Sequence, residues 1–77
     1  MIDILSTILK TGELANMTSC KVSADSVGFI AILRRYENVV RIDFLGKVYI
    51  VDTFSDDKRE FVSIGDVTKI ITAELKK

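Results

Sequence analysis

The sequence predicts one α+β domain, a two-layer fold in which a four-stranded antiparallel meander carries an N-terminal and a C-terminal helix on one face. Three observations predict it. Apolar residues recur at helical spacing near both ends of the chain and at alternate positions through its middle. The alternating segments are joined by short turn signals, which favour hairpins over crossovers. The chain has 77 residues, enough for a single domain spanning 1–77 and not for two.

The first helix is read over Ile2 to Lys10, where Ile4, Leu5, Ile8 and Leu9 share a face. Asp3 suits the positive helix start and Lys10 the negative end. Gly12 is placed as the C-cap, and Glu13 to Met17 as a further helical turn. From Ser19 the period becomes two: Cys20, Val22 and Ala24 alternate with Lys21 and Ser23, a strand with one buried face. Asp25-Ser26 is a turn signal. Val27 to Arg35 reads as a long central strand, apolar on both faces in its first half. Glu37-Asn38 is taken as a hairpin turn. Val39 to Leu45 is the third strand, Gly46 the next turn, and Lys47 to Phe54 the fourth strand, rich in Val, Ile and Tyr. Ser55 to Arg59 reads as a charged loop and Glu60 to Val62 as a short extended piece. Ser63, with Asp66 three residues on, resembles a capping box. The last helix follows from Ile64 to Lys76, with Val67, Ile70, Ile71 and Leu75 as its stripe.

Hairpin geometry then sorts the sheet into two faces. A turn at Glu37-Asn38 sets Leu33 opposite Ile42 and Ala31 opposite Phe44. A three-residue loop around Gly46 sets Phe44 opposite Val48 and Ile42 opposite Ile50; a two-residue loop would turn the last strand over. The core face carries Phe29, Ala31, Leu33, Val40, Ile42, Phe44, Val48 and Ile50. The other face carries Ile30, Ile32, Arg34, Val39, Arg41, Asp43, Tyr49 and Val51. Large apolar residues among Arg and Tyr are the usual ingredients of a protein interface. The competing reading is that the chain termini or the charged loop cover this face.

Composition narrows the chemistry. There is one cysteine and no histidine. No intrachain disulfide can form, and serine–histidine, cysteine–histidine and ordinary zinc catalysis are not available within one chain. The four glycines stand far apart, so no phosphate-binding loop is present. Asp52, Asp56, Asp57 and Glu60 lack the spacing of a calcium loop and are broken by Lys58 and Arg59, so they read as a solvated loop. Cys20 reads as a small buried hydrophobe. Gly65-Asp66 reads as a plain helix start, and Asn16-Met17-Thr18 as a chance match to a glycosylation triplet. No cofactor and no metal are expected. With 11 basic and 11 acidic residues the net charge is zero, which disfavours binding to nucleic acid as a whole-molecule effect. The longest apolar stretch, Val27 to Leu33, is far too short for a membrane span. Neither a signal peptide nor a membrane partner is expected, and a cytoplasmic location is.

The expectation is therefore a non-enzymatic interaction module, of the kind found among small accessory proteins of bacteria and their phages, that inhibits or adapts a partner protein by occupying its surface. Ile30, Ile32, Arg34, Arg41, Asp43 and Tyr49 are the expected contacts. A homodimer is also expected, because a chain this small buries a modest share of its surface. The alternative is single-stranded nucleic-acid binding on the same face. Gly46 to Val51, with the charged loop and final helix, resembles the coactivator-type single-stranded DNA binders over about half of the chain, without a diagnostic motif. That resemblance implies phosphate contacts from Arg34, Arg41 and Lys47 and base stacking on Tyr36 and Tyr49. The neutral charge and the N-terminal helix depart from the family pattern. A small enzyme acting through carboxylates such as Asp43 or Asp52 is the remaining class.

Overall fold

A computed structural model describes residues 2–61 and 63–77. Helix α1 (Ile2–Leu14) is followed by strands β1 (Ser19–Ala24), β2 (Phe29–Arg35), β3 (Asn38–Phe44), β4 (Val48–Val51) and β5 (Lys58–Phe61), and by helix α2 (Ile64–Leu75). The sheet is antiparallel in the order β1-β2-β3-β4-β5, so every strand pairs with its neighbours in sequence. The expected helix–meander–helix order holds, with five strands in place of four. The additional strand is the segment read as a charged loop and a short extended piece. Its sequence, Lys58-Arg59-Glu60-Phe61, offers one apolar residue and no alternation to read. It is held by ladder bonds to β4, with Val48 opposite Phe61 and Val51 opposite Lys58. Val62, the end of the expected extended piece, lies outside the described residues. The fourth strand correspondingly ends at Val51 and not at Phe54, and the loop is Asp52 to Asp57.

The core forms where both helices cover one sheet face. Phe29, Ala31, Leu33, Val40, Ile42 and Val48 meet Ile8 of α1, Ala15 just past its end, and Val67, Ile71 and Leu75 of α2, with Phe44 and Ile50 packed at the margin. This is the expected core face. Phe29 and Phe44 lie directly opposite each other and stack at 5.4 Å between ring centroids. The loop Leu45-Gly46-Lys47 has three residues and sets Phe44 opposite Val48 and Ile42 opposite Ile50, as expected.

The β2–β3 turn differs from expectation. Arg35 pairs with Asn38, so the loop residues are Tyr36 and Glu37, and Leu33 faces Val40 and Ala31 faces Ile42. Tyr36 takes φ 55° at the first loop position, where a positive value is required by the hairpin turns whose twist matches the strands. The register is displaced by two residues, which is one full side-chain period, so both faces keep their residues.

Three local readings are also corrected. Gly12 does not cap α1, which continues to Leu14. Asn16 is the left-handed residue at φ 62°, Met17 N–H donates to Gly12 O at 2.9 Å, and Asn16 N–H donates to Glu13 O at 3.0 Å. These are the two bonds of a Schellman ending. Gly12 is needed for its missing side chain: a Cβ there would stand 2.5 Å from Met17 Sδ and 3.3 Å from Leu33. Ser63 takes extended backbone angles at the start of α2 but its side chain makes no cap bond, so no capping box forms with Asp66. Cys20 is exposed, because neither helix packs closely over β1.

Gly28 is a second close approach. It ends the β1–β2 loop, in which Asp25 Oδ1 accepts the N–H groups of Val27 and Gly28 at 2.8 and 2.9 Å. A Cβ on Gly28 would fall 1.8 Å from the carbonyl oxygen of Phe44. That atom belongs to the backbone of a paired strand and cannot swing aside. Gly28→Ala is therefore expected to destabilise the domain by about 1–3 kcal/mol, the range for overpacking. Chemical denaturation reads this directly, and a variant as stable as the wild type would refute the close packing.

Candidate interaction face

The register lays out the sheet face opposite the helices as rows of neighbouring side chains. One row runs Ser23, Ile30, Asp43, Tyr49, Glu60; the next runs Lys21, Ile32, Arg41, Val51, Lys58; a shorter third holds Ser19, Arg34 and Val39. All six expected contact residues lie on this face. Ile30, Asp43 and Tyr49 are direct neighbours, Ile32 and Arg41 are direct neighbours, and Arg34 sits one row away.

Their exposures divide them. Ile30 is 37% exposed and Arg34 is exposed, while Ile32 and Tyr49 are half-buried. Asp43 is 2% exposed. Its burial follows from β-strand alternation, which puts Arg41 and Asp43, two residues apart, on the same face. The Arg41 guanidinium folds back along the strand and donates from Nε to Asp43 Oδ1 at 2.9 Å and from Nη2 to Oδ2 at 3.1 Å. A fork this well matched to a carboxylate is the strong form of an ion pair. The hydrogen bond to Asp43 raises the Arg41 guanidinium above its ordinary value. Lys58 Nζ approaches Asp43 Oδ2 at 3.5 Å from β5, and Asp56 Oδ1 lies 3.9 Å from Arg41 Nη1. The β4–β5 loop therefore bends toward this face, and Val51, between Arg41 and Lys58 in its row, is 3% exposed. The loop covers that corner of the face and leaves Ile30 and Arg34 open.

Asp52 organises the loop. Its Oδ1 accepts the N–H groups of Phe54 at 2.7 Å and Ser55 at 3.0 Å, and its carbonyl accepts Asp56 N–H at 3.0 Å. Asp56 adopts φ 59°. The acidic cluster seen in sequence is thus loop architecture, and among the described residues no group of three or more Cys, Asp or Glu is placed to hold a metal ion. Phe54 at the loop tip is 98% exposed.

The sequence alone misses several contributors to this face, among them Lys21 of β1 and Glu60 of β5. Lys58 and Asp56 reach it only because β5 pairs with β4 and the loop turns back. Leu45, 56% exposed, flanks its far end. Val27, expected in the second strand, lies outside it, since β2 begins at Phe29. A shallow concavity of about 260 Å³ lies there, lined by Ile30, Leu45, Arg41, Asp43 and Lys58 among others. The larger concavity, about 600 Å³, opens at the end of the sheet beside the C-terminal half of α2, over Val40, Ile50, Phe61 and Ile70, and holds none of the six expected residues. No helix among the described residues is long and apolar enough to cross a membrane. Comparison with family models, with curated proteins and with solved structures returns no match.

The Asp25 and Asp52 carboxyls are both held below their ordinary value, Asp25 by N–H donors on Gly28 and Val27 and Asp52 by those on Phe54 and Ser55. A carboxyl depressed in the folded state contributes stability above its unfolded value, about 3.9, and loses that contribution as pH falls through the folded value. Stability is expected to decline below about pH 4 for this reason. An asparagine oxygen accepts the same bonds without titrating. In the double variant Asp25→Asn, Asp52→Asn, the denaturation midpoint should fall less between pH 6 and pH 3 than in the wild type. An identical fall would show that other carboxyls carry the acid sensitivity.

Proposed function

We propose that this chain is a non-enzymatic protein-interaction module that inhibits or adapts a partner by docking through the helix-free sheet face. The observation that carries this reading is the arrangement of that face. Ile30, Ile32 and Tyr49 form neighbouring apolar and aromatic surface around a pre-bonded Arg41–Asp43 pair, with Leu45 exposed at its end. Apolar anchors beside a fixed guanidinium bind with little loss of side-chain freedom. Arg41 is already committed to Asp43, so its role is to hold a flat, neutralised surface on which Ile30, Arg34 and Tyr49 make the outward contacts.

This division of labour selects the test. Arg41→Ala would strand a buried carboxylate with Lys58 alone, at a cost of about 1–3 kcal/mol, and would confuse unfolding with lost contact. Ile30→Glu with Tyr49→Ala changes the surface without touching the ion pair. Immobilised wild-type chain is expected to retain a partner from its native lysate, and the double variant to lose it by at least tenfold. Leu14→Ser, at a site 74% exposed at the end of α1, should retain it. Equal capture by all three chains would sink the assignment.

A second reading is favoured by one observation. The middle row crosses the sheet as Lys21, Ile32, Arg41, Val51, Lys58, with Arg34 in the next row. Four basic residues on this face stand against the three carboxylates of Asp43, Asp56 and Glu60, so a chain of zero net charge carries a strip with one basic charge in excess. Basic residues spaced along a groove, with Tyr49 beside them, are what a single strand of nucleic acid needs. If an oligonucleotide is the ligand, log K should fall with log salt with a slope of about −0.7 per phosphate contact. Lys21→Glu should shallow that slope by about one such step. Fluorescence anisotropy with labelled single strands measures both; salt-independent or absent binding removes this reading.

A further inference from the structure

The sheet has two edges, and they are built differently. β5 presents Lys58, Arg59 and Glu60, charges that discourage another strand from pairing. β1 carries one charge, Lys21, over its six residues, and from Ser19 to Ala24 its register against β2 is one to one. Asp25 N–H donates to Gly28 O at 3.0 Å, which marks that pair as a hydrogen-bonded one. Antiparallel pairs alternate, so Ser23–Ile30, Lys21–Ile32 and Ser19–Arg34 are bonded pairs too, and the N–H and C=O groups of Cys20, Val22 and Ala24 point away from the sheet. Every residue of β1 is exposed, so no other described part of the chain shields that edge.

We propose that β1 pairs with β1 of a second copy, antiparallel about a twofold axis at Val22, to give one sheet running through both copies. The reason for a second copy as occupant is self-complementarity. An axis normal to the sheet keeps each side chain on its own face, so even-numbered residues meet even ones and odd meet odd. Centred on Val22, the two valines face each other, Cys20 faces Ala24, and Lys21 faces Ser23. Asp25 of the other copy then lies on the diagonal from Lys21, within reach of the long side chain. All the outward backbone groups of Cys20, Val22 and Ala24 are satisfied. Centring on Lys21 would bring two ammonium groups together at the closer, non-bonded spacing. Centring on Cys20 would run Ala24 against Asn16, which is left-handed at φ 62° and cannot pair as a strand. Zero net charge adds no general repulsion between copies. The pairing leaves the helix-free faces of both copies open and side by side, so it holds whatever those faces bind.

Light scattering over a wide concentration range tests the association, and a cysteine variant tests the register. Wild-type mass should rise from one copy to two as concentration increases. Val22→Lys, with its fold checked by circular dichroism, should raise the concentration needed by at least tenfold. In the double variant Cys20→Ala, Val22→Cys, the two introduced thiols sit across a bonded pair about 5.5 Å apart at Cα, within disulfide range, and should cross-link on mild oxidation. Cys20 of the wild type, displaced from the axis in each copy, should not. A wild-type monomer at every concentration overturns the proposal, and leaves an extended segment of another protein as the candidate for this edge. A dimer that Val22→Lys leaves intact and Ile30→Glu, Tyr49→Ala dissolves overturns it in favour of face-to-face association. Cross-linking of the wild type through Cys20, with none in the Val22→Cys variant, overturns the Val22-centred register.

Discussion

The pairing of β2 with β3 is the constraint on which the rest of the structure depends. It is the longest ladder of the sheet, from Phe29 opposite Phe44 to Arg35 opposite Asn38. On one side it sets Phe29, Ala31 and Leu33 against Phe44, Ile42 and Val40, and all but Phe44 at the margin are 3% exposed or less. That apolar surface is what both helices bury. Because the side-chain period is two, any register slip by one residue would expose this set and drive Ile30, Arg34 and Arg41 into the core. A slip by two would leave the faces intact but break the stacking of Phe29 on Phe44 and the approach of Gly28 to the Phe44 backbone. Packing at the loop end, and not the pattern along the strands, therefore selects between registers of the same parity.

The same ladder determines the electrostatics of the opposite face. Arg41 and Asp43 are brought together by alternation within β3, and β4 and β5 then supply Val51, Tyr49 and Lys58 around them. A carboxylate that is 2% exposed on a face without helices is held by a bidentate guanidinium and a nearby ammonium, so its burial leaves no unpaired charge. The consequence for function is a division between residues that shape the face and residues that present to solvent. Arg41, Asp43 and Val51 do the first; Ile30, Arg34 and part of Tyr49 do the second. Mixed charge confined to rows, in a chain of zero net charge, also explains why whole-molecule electrostatics says little about this face.

Legibility in the sequence follows locality. Both helices and four strands can be read from their apolar periods, and the core face follows residue by residue once the Gly46 loop is given three residues. β5 cannot, since Lys58-Arg59-Glu60-Phe61 has the composition of a loop and becomes a strand only by pairing with β4. The hairpin turn reads one residue late because Asn38 is a stronger turn former than Tyr36, and packing overrides that preference. Gly12 resembles a helix end in sequence, whereas its use is to admit Met17 and Leu33. Cys20, Val22 and Ala24 alternate as a buried strand should, yet they are exposed because the helices do not extend over the edge of the sheet.

By itself the sequence determined the order of both helices and four strands and the sides on which β2 and β3 place their residues, because alternation and helical period act over a few neighbouring residues; the parity of β4 depended on the length of the Gly46 loop. It also determined that catalysis by histidine is absent from a single chain. Only the tertiary structure decided the fifth strand, the bonded state and burial of Asp43, the turn of the β4–β5 loop toward Arg41, and the contrast between a charged edge at β5 and an open one at β1. Each of these depends on which segments distant in sequence come to lie side by side, and that is decided by packing on the shared core.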